Sequence, residues 1–174
     1  YELAKSALSE VAISDRERVL NAYPFQLSGG LNQRVLIAMS LVNQPDLILA
    51  DEPGTALDVT VQEQTLRLMR GLTEKLNSAV LLITHNLGVV REFADRVYVM
   101  YAGSVVEEGQ THQIFSNPKH PYTKALMDSV PKLSGGQLPK GIDGFIPDYT
   151  KPPSGCRFHP RCVHVKDICK QPQP

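Results

Sequence analysis

The chain has 174 residues, 42% apolar and 21% charged, with zero net charge. That balance fits a soluble globular domain with a small appendage and offers no broad basic surface for nucleic acid or an anionic membrane. The longest apolar stretches run to about seven residues, far short of the roughly 20 that cross a bilayer, so any service to a membrane goes through a partner. The chain opens at Tyr1 without Met or a signal-peptide pattern, which reads as a fragment.

Leu3, Ala4, Ala7, Leu8 and Val11 recur at helical spacing, predicting an opening helix. A second short helix is expected over Asp15–Asn21, ending before Pro24. Ser28-Gly29-Gly30 is a loop signal, and Leu31 to about Val42 reads as the helix that follows it. Leu47-Ile48-Leu49-Ala50 is a short, unalternating apolar run, as expected of a strand buried on both faces of a parallel sheet. Val61–Leu76 reads as an amphipathic helix with Asp58 as its N-cap. Val80–Ile83 is a second buried strand, followed by a helix from Leu87 to Ala94.

Val97–Tyr101, Ala102-Gly103-Ser104 and Val105–Glu107 predict a β-hairpin. Short helices follow at Thr111–Phe115 and Tyr122–Val130. Pro131, Pro139, Pro147, Pro152, Pro153 and Pro160 then exclude long regular elements, leaving a tail that is irregular unless something staples it. The alternation of strand and helix up to residue 95 predicts an α/β fold.

Three places carry chemistry. Ser28, Gly29 and Gly30 stand just before a helix, where unpaired N–H groups and the helix dipole favour anionic oxygens. A plain helix-entry turn would look the same in isolation. Leu133-Ser134-Gly135-Gly136 repeats the four letters, but Pro139 stops any helix there and that copy reads as a linker. Asp51 and Glu52 end the first strand, at the carboxyl rim where open α/β sheets bind ligands. One carboxylate can hold Mg²⁺ and the other can orient water toward a γ-phosphate. His85, just past the second strand, should emerge on the same rim and can hydrogen-bond a phosphate or its attacking water.

Taken together these residues resemble the ATPase subunits of ABC transporters. Leu27-Ser28-Gly29-Gly30-x-x-Gln33-Arg34 is similar to the family's signature motif and Leu47–Pro53 to its Walker B strand. Ala56-Leu57-Asp58 is similar to the D-loop and Ile83-Thr84-His85 to the switch histidine. The resemblance implies a P-loop NTPase-type parallel sheet with a helical subdomain, incomplete here. It implies that Asp51 binds Mg²⁺ through water, Glu52 acts as general base and His85 contacts the γ-phosphate. Asp58 would communicate across a dimer, and Ser28, Gly29, Gly30 and Gln33 would contact ATP held mainly by a second ATPase subunit, in a homo- or heterodimer. Gly54 departs from the pattern, which usually has Thr there.

His120-Pro121-Tyr122-Thr123-Lys124-Ala125-Leu126 and the stretch Pro153–Cys162 resemble the C-terminal extension of oligopeptide and dipeptide importer ATPases. This divides the chain into 1–45, a helical subdomain with the signature; 46–130, the C-terminal part of the ATPase core; and 131–174, the irregular extension. The partners implied are transmembrane permease subunits and, indirectly, an extracytoplasmic solute-binding protein, with no nucleic acid. The setting implied is the cytoplasmic face of the membrane. The solute class would be peptides, or nickel or oligosaccharides in some members.

Cys156, Cys162 and Cys169 match neither zinc-ribbon nor common ferredoxin spacings. Similar subunits carry an iron–sulfur (4Fe-4S) cluster on four cysteines of this extension. Zinc, with His159 or His164 as a further ligand, and three unliganded thiols stay open beside the cluster. No G-x-x-x-x-G-K-[ST] loop occurs in the 174 residues. The chain by itself is therefore expected not to hydrolyse ATP. Two other readings are a non-transport ABC ATPase and a degenerate subunit supplying only the signature half of a composite site.

Overall fold

A computed structural model describes residues 1–55, 57–130 and 141–172. The chain divides into two compact units, Tyr1–Val89 and Val90–Pro174. The repeated Leu133–Gly136 stretch, Pro131, Pro139 and Ala56 lie outside the described residues.

In the first unit, helix α1 (Glu2–Glu10) buries Leu8. Helix α2 (Arg16–Leu20) starts where the Asp15 carboxylate accepts the Arg18 N–H, satisfying one of the donors that a helix start leaves open. A single 3₁₀ turn, Pro24–Gln26, leads into α3 (Gly29–Leu41). The guanidinium of Arg34 reaches back from α3 to the Val11 carbonyl at 3.0 Å, joining α3 to the end of α1. Strand β1 (Leu47–Asp51) and strand β2 (Ala79–Ile83) pair in parallel, from Leu47 opposite Ala79 to Asp51 opposite Ile83.

The crossover between these strands is helix α4 (Val59–Leu76). Its apolar stripe buries Leu66, Met69 and Leu72, and Asn77 ends it in the left-handed conformation at φ 55°. Leu66 is 2% exposed, and enclosing a leucine that fully is worth about 1.5–3 kcal/mol. The Ser78 hydroxyl then donates to the Pro45 carbonyl at 2.6 Å, linking the two strand entries.

The strands are not buried on both faces as the apolar runs predict. Only Ile48 and Ala50 of β1 are buried, while Leu49 is 68% exposed and β2 has no fully buried residue. The reason is the size of the sheet. With two strands, the pleat turns one side of β1 to the core and the other finds no packed layer among the described residues. Helix α3 begins at Gly29 rather than Leu31, so the two glycines are its first turn instead of a loop before it. Helix α5 (Leu87–Phe93) runs across the division between the units.

In the second unit, β3 (Arg96–Tyr101) and β4 (Ser104–Gln110) form an antiparallel hairpin. The turn residues Ala102 and Gly103 both have positive φ, 50° and 79°, the handedness that matches strand twist in a two-residue hairpin. Helix α6 (Thr111–Ser116) follows, its Thr111 hydroxyl donating to the Ala94 carbonyl. Helix α7 (Pro121–Asp128) has proline at its first position, where a missing N–H costs nothing.

The tail is irregular and stapled. Phe158 is 2% exposed and packs with Tyr101 and Ala102, its ring edge-on to Tyr101 at 5.2 Å and tilted against Tyr122 at 5.4 Å. Arg161 donates to the carbonyls of Ile142 and Asp143 and to the Tyr101 hydroxyl. Arg157 donates to the Ala102 carbonyl. One aromatic anchor and two arginines thus fasten the described part of the segment to the hairpin end, in place of any sheet or long helix.

Candidate functional site

The parallel register sets the site. Asp51 and Ile83 are partners at the carboxyl ends of β1 and β2, so the residues after them leave the sheet at the same level. The chain turns sharply at Glu52, whose φ is 46°, while its N–H donates to the Ile83 carbonyl at 2.9 Å. Pro53 and Gly54 make the turn, closed by the Thr55 N–H on the Glu52 carbonyl at 3.0 Å. On the other strand, the Thr84 hydroxyl accepts the Asn86 N–H, and the Asn86 side chain accepts the N–H groups of Gly88 and Val89. These local bonds hold His85 between β2 and α5.

The geometry joins the two residues singled out for hydrolysis. His85 Nδ1 lies 2.6 Å from Glu52 Oε1, and the His85 N–H donates to the same oxygen at 3.0 Å. The other carboxylate oxygen, Oε2, accepts the Thr55 hydroxyl at 2.9 Å. The His85 hydrogen bond holds the Glu52 carboxyl below the usual carboxylate range; burial pushes it up, and the Thr55 hydroxyl pulls it down again. With Nδ1 committed to Glu52, the His85 ring keeps Nε2 for another partner, and its side chain is 83% exposed. The Asp51 carboxylate, also exposed, has no hydrogen-bond partner among the described residues. Thr55 belongs to none of the motifs that mark the site in the sequence. Its signal is the i, i+3 spacing from Glu52 across a Pro-Gly turn.

The glycine loop is built differently from the expectation. Ser28 is the N-cap of α3, its hydroxyl oxygen accepting the Leu31 N–H at 3.4 Å. Gly29 and Gly30 face the start of α4: a Cβ on Gly30 would stand 3.0 Å from a Val61 methyl, and one on Gly29 would stand 3.4 Å from a Leu57 methyl. The glycines therefore serve helix–helix approach as well as backbone access. Gln33 lies one turn further along α3, half-buried. Asp58 caps α4, its Oδ1 accepting the Val61 N–H at 3.0 Å. No hydrogen bond among the described residues links Ser28, Gln33 or Asp58 to Glu52 or His85.

The residue that departs from the family pattern is packed closely. Gly54 is buried, and a Cβ there would overlap the Gln62 side chain of α4.

The chain matches two family descriptions: ABC transporter over residues 2–55 and oligopeptide/dipeptide transporter, C-terminal region, over residues 106–169. The chain is thus similar to ATP-binding proteins of ABC transporters. It is 49% identical over 173 residues to the oligopeptide transport ATP-binding protein AppD of Bacillus subtilis (strain 168), covering 98% of this chain and 52% of that protein. The dipeptide transport ATP-binding protein DppD of the same organism is 50% identical over 171 residues, covering 97% and 51%. The chain thus spans about half the length of the curated relatives it matches. Among solved structures, the ATP-binding cassette MJ0796, as a dimer in a post-hydrolysis state bound to ADP and Pi, is 36% identical with a TM-score of 0.54, over 63% of this chain and 46% of that one. The fold is accordingly a partial P-loop NTPase fold.

Cys156, Cys162 and Cys169 are free, half-buried thiols. Among the described residues, no group of three or more His, Cys, Asp or Glu is arranged to hold a metal ion. Cys156 and Cys162 pack against the Tyr101–Phe158 cluster. The Cys156 Sγ lies 3.7 Å from His120 Nε2, and the Cys169 carbonyl accepts the Cys156 N–H. Among the described residues no helix is long and apolar enough to cross a membrane.

Proposed function

We propose that this chain works within an ATP-hydrolysing subunit that powers peptide import through a membrane permease. The observation that carries the reading is the Glu52–His85 contact at the joint rim of β1 and β2. It sets a carboxylate, held ionised by its neighbours, beside an imidazole with one open nitrogen. Glu52 would accept or orient a proton of the attacking water. His85 Nε2 would face the terminal phosphate, donating when the ring is imidazolium.

Mg²⁺ would sit on the Asp51 side. Its exposed carboxylate, without a partner among the described residues, is the hard oxygen donor that such an ion prefers, directly or through water. When bound, the ion neutralises charge developing on the phosphate oxygens. Ser28, Gly29, Gly30 and Gln33 would meet ATP held by a second ATPase subunit, homologous or identical, across an interface that Asp58 faces. The start of α3 suits this role, because open amides at a helix N-terminus attract anionic oxygens.

The solute is supported as a peptide by the relatives' names and by the match over residues 106–169. Nickel or another small solute is the finer alternative within the same machine. In this reading residues 1–45 form the helical subdomain, 46–130 core and 131–174 the extension, and the subunit works at the cytoplasmic face against permease subunits. Reconstitution of the full-length protein with its permease and binding protein in liposomes tests the proposal. ATP-driven uptake of a labelled di- or oligopeptide is expected, and uptake is lost with Glu52→Gln. No peptide uptake, or unchanged turnover in Glu52→Gln, would overturn it.

A further inference from the structure

The turn after β1 binds Thr55 to Glu52 twice, once through backbone and once through side chains. The two carboxylate oxygens therefore have separate anchors: Oε1 on His85 from the β2 rim, and Oε2 on Thr55 from the β1–α4 connection. The need for a second anchor follows from chemistry. A glutamate side chain has three rotatable bonds, and a base works only when held within a fraction of an ångström of the proton it takes. His85 alone fixes one oxygen and leaves the carboxylate free to swing about it.

The connection carrying Thr55 is itself braced. Pro53 restricts the backbone at the second turn position. Gly54 lets the Gln62 side chain of α4 lie directly against the turn, in the space a Cβ would take. The Leu57 N–H donates to the Gly54 carbonyl at 3.2 Å, continuing the same tight path. Thr55 is thus presented from a fixed support.

We propose that Thr55 is a positioning residue for hydrolysis: its hydroxyl sets the rotation of the Glu52 carboxylate relative to the attacking water. This rests on the reading of Glu52 as the residue that activates that water. The hydroxyl forms and breaks no covalent bond; it donates one hydrogen bond to Oε2 throughout.

The test uses the full-length protein with Thr55→Val, Thr55→Ala and Thr55→Ser beside Glu52→Gln, measuring steady-state ATPase rates and thermal unfolding. Valine keeps the shape and loses the hydroxyl. Its kcat is expected to fall roughly 10- to 100-fold, the scale of a small misplacement of a catalytic group. Its KM for ATP should stay within about twofold and its melting temperature should hold, because the lost interaction acts on the water and not on nucleotide binding. Alanine should follow valine, and serine should restore most of the rate. Wild-type kcat in Thr55→Val while Glu52→Gln is inactive would overturn the role of Thr55 alone. So would a raised KM with unchanged kcat, or a serine variant as slow as valine. Full turnover in Glu52→Gln would overturn the site reading and this inference with it.

Discussion

The backbone N–H and the ring Nδ1 of His85 both converge on one oxygen of Glu52, at 3.0 and 2.6 Å. Each residue alone is a polar group at a strand end, His85 exposed and Glu52 half-buried. Bound together they form a unit with a defined orientation, in which the histidine keeps one nitrogen outward and the glutamate keeps one oxygen on Thr55.

That coupling predicts non-additive kinetics. In the full-length protein, Glu52→Gln should lower kcat by about 10²- to 10⁴-fold, the usual worth of a positioned acid–base group. His85→Ala should also lower it, and the double variant should be little worse than the worse single one. A double-mutant cycle of ATPase rates checks this. Simple multiplication of the two losses would mean that the residues act separately.

Gly54 is expected to tolerate no side chain cheaply. Gly54→Ala places a methyl in the volume of the Gln62 side chain, and overpacking of this kind costs typically 1–3 kcal/mol. Adding Gln62→Ala should recover most of the loss. Urea unfolding of the two single variants and the pair measures it; equal stability of Gly54→Ala and wild type would show that Gln62 moves aside freely.

Asp58 has a local duty that must be separated from any role across a dimer. Its carboxylate caps the 18-residue helix α4, and alanine should cost about 1 kcal/mol by loss of that cap alone. Asparagine caps as well as aspartate and should preserve stability. Thermal unfolding compares the three forms, and any fall in ATPase rate specific to Asp58→Asn then reports on charge.

Acid should weaken the second unit before the first. Burial pushes the Glu107 carboxyl up, but the N–H groups of Lys119 and His120 and the neighbouring Thr123 hydroxyl outweigh it, so Glu107 sits below the usual range. Its stabilisation is complete above the unfolded value of about 4.3 and disappears as pH falls through the lower folded value. Burial lowers His120 from its ordinary value, with the Glu107 charge opposing. The unfolded ring therefore takes a proton first, and stability declines as pH drops below about 6.5. Both groups act in the same direction. The near-ultraviolet dichroism of the tyrosines should melt at lower temperature at pH 4 than at pH 7, and Glu107→Gln should flatten the acid part of that curve. An unchanged melt across the range would contradict this.

Phe158 should be the most sensitive point of the tail. It is 2% exposed against Tyr101, Tyr122 and His120, and truncating a buried phenylalanine to alanine costs about 3–5 kcal/mol. Phe158→Ala should abolish the tyrosine dichroism signal of the hairpin end. A retained signal would show that Arg157 and Arg161 suffice to fasten the segment.

Much of the local architecture was legible along the chain. The cap at Asp58 and the hairpin turn at Ala102-Gly103 depend on neighbouring residues, and short-range chemistry places them. The strand ends at Asp51 and Ile83 followed from apolar runs that stop at polar residues. The burial of those strands did not follow. An apolar run states a preference for burial, and only the number of layers packed against it decides which residues obtain it, so Ile48 is covered and Leu49 is not.

The sequence by itself determined the order of elements and the carboxylate and histidine that end successive strands, because spacing along one chain specifies each of them. Tertiary structure decided how they are used. The parallel register brought Glu52 and His85, 33 positions apart, to 2.6 Å. The turn put Thr55 on the second oxygen, the approach of α4 assigned Gly30 and Gly54 to packing, and Phe158 and its arginine neighbours closed a proline-rich segment onto a hairpin. These are relations between distant segments, and a hydrogen bond or a packed ring depends on positions in space that no local pattern encodes.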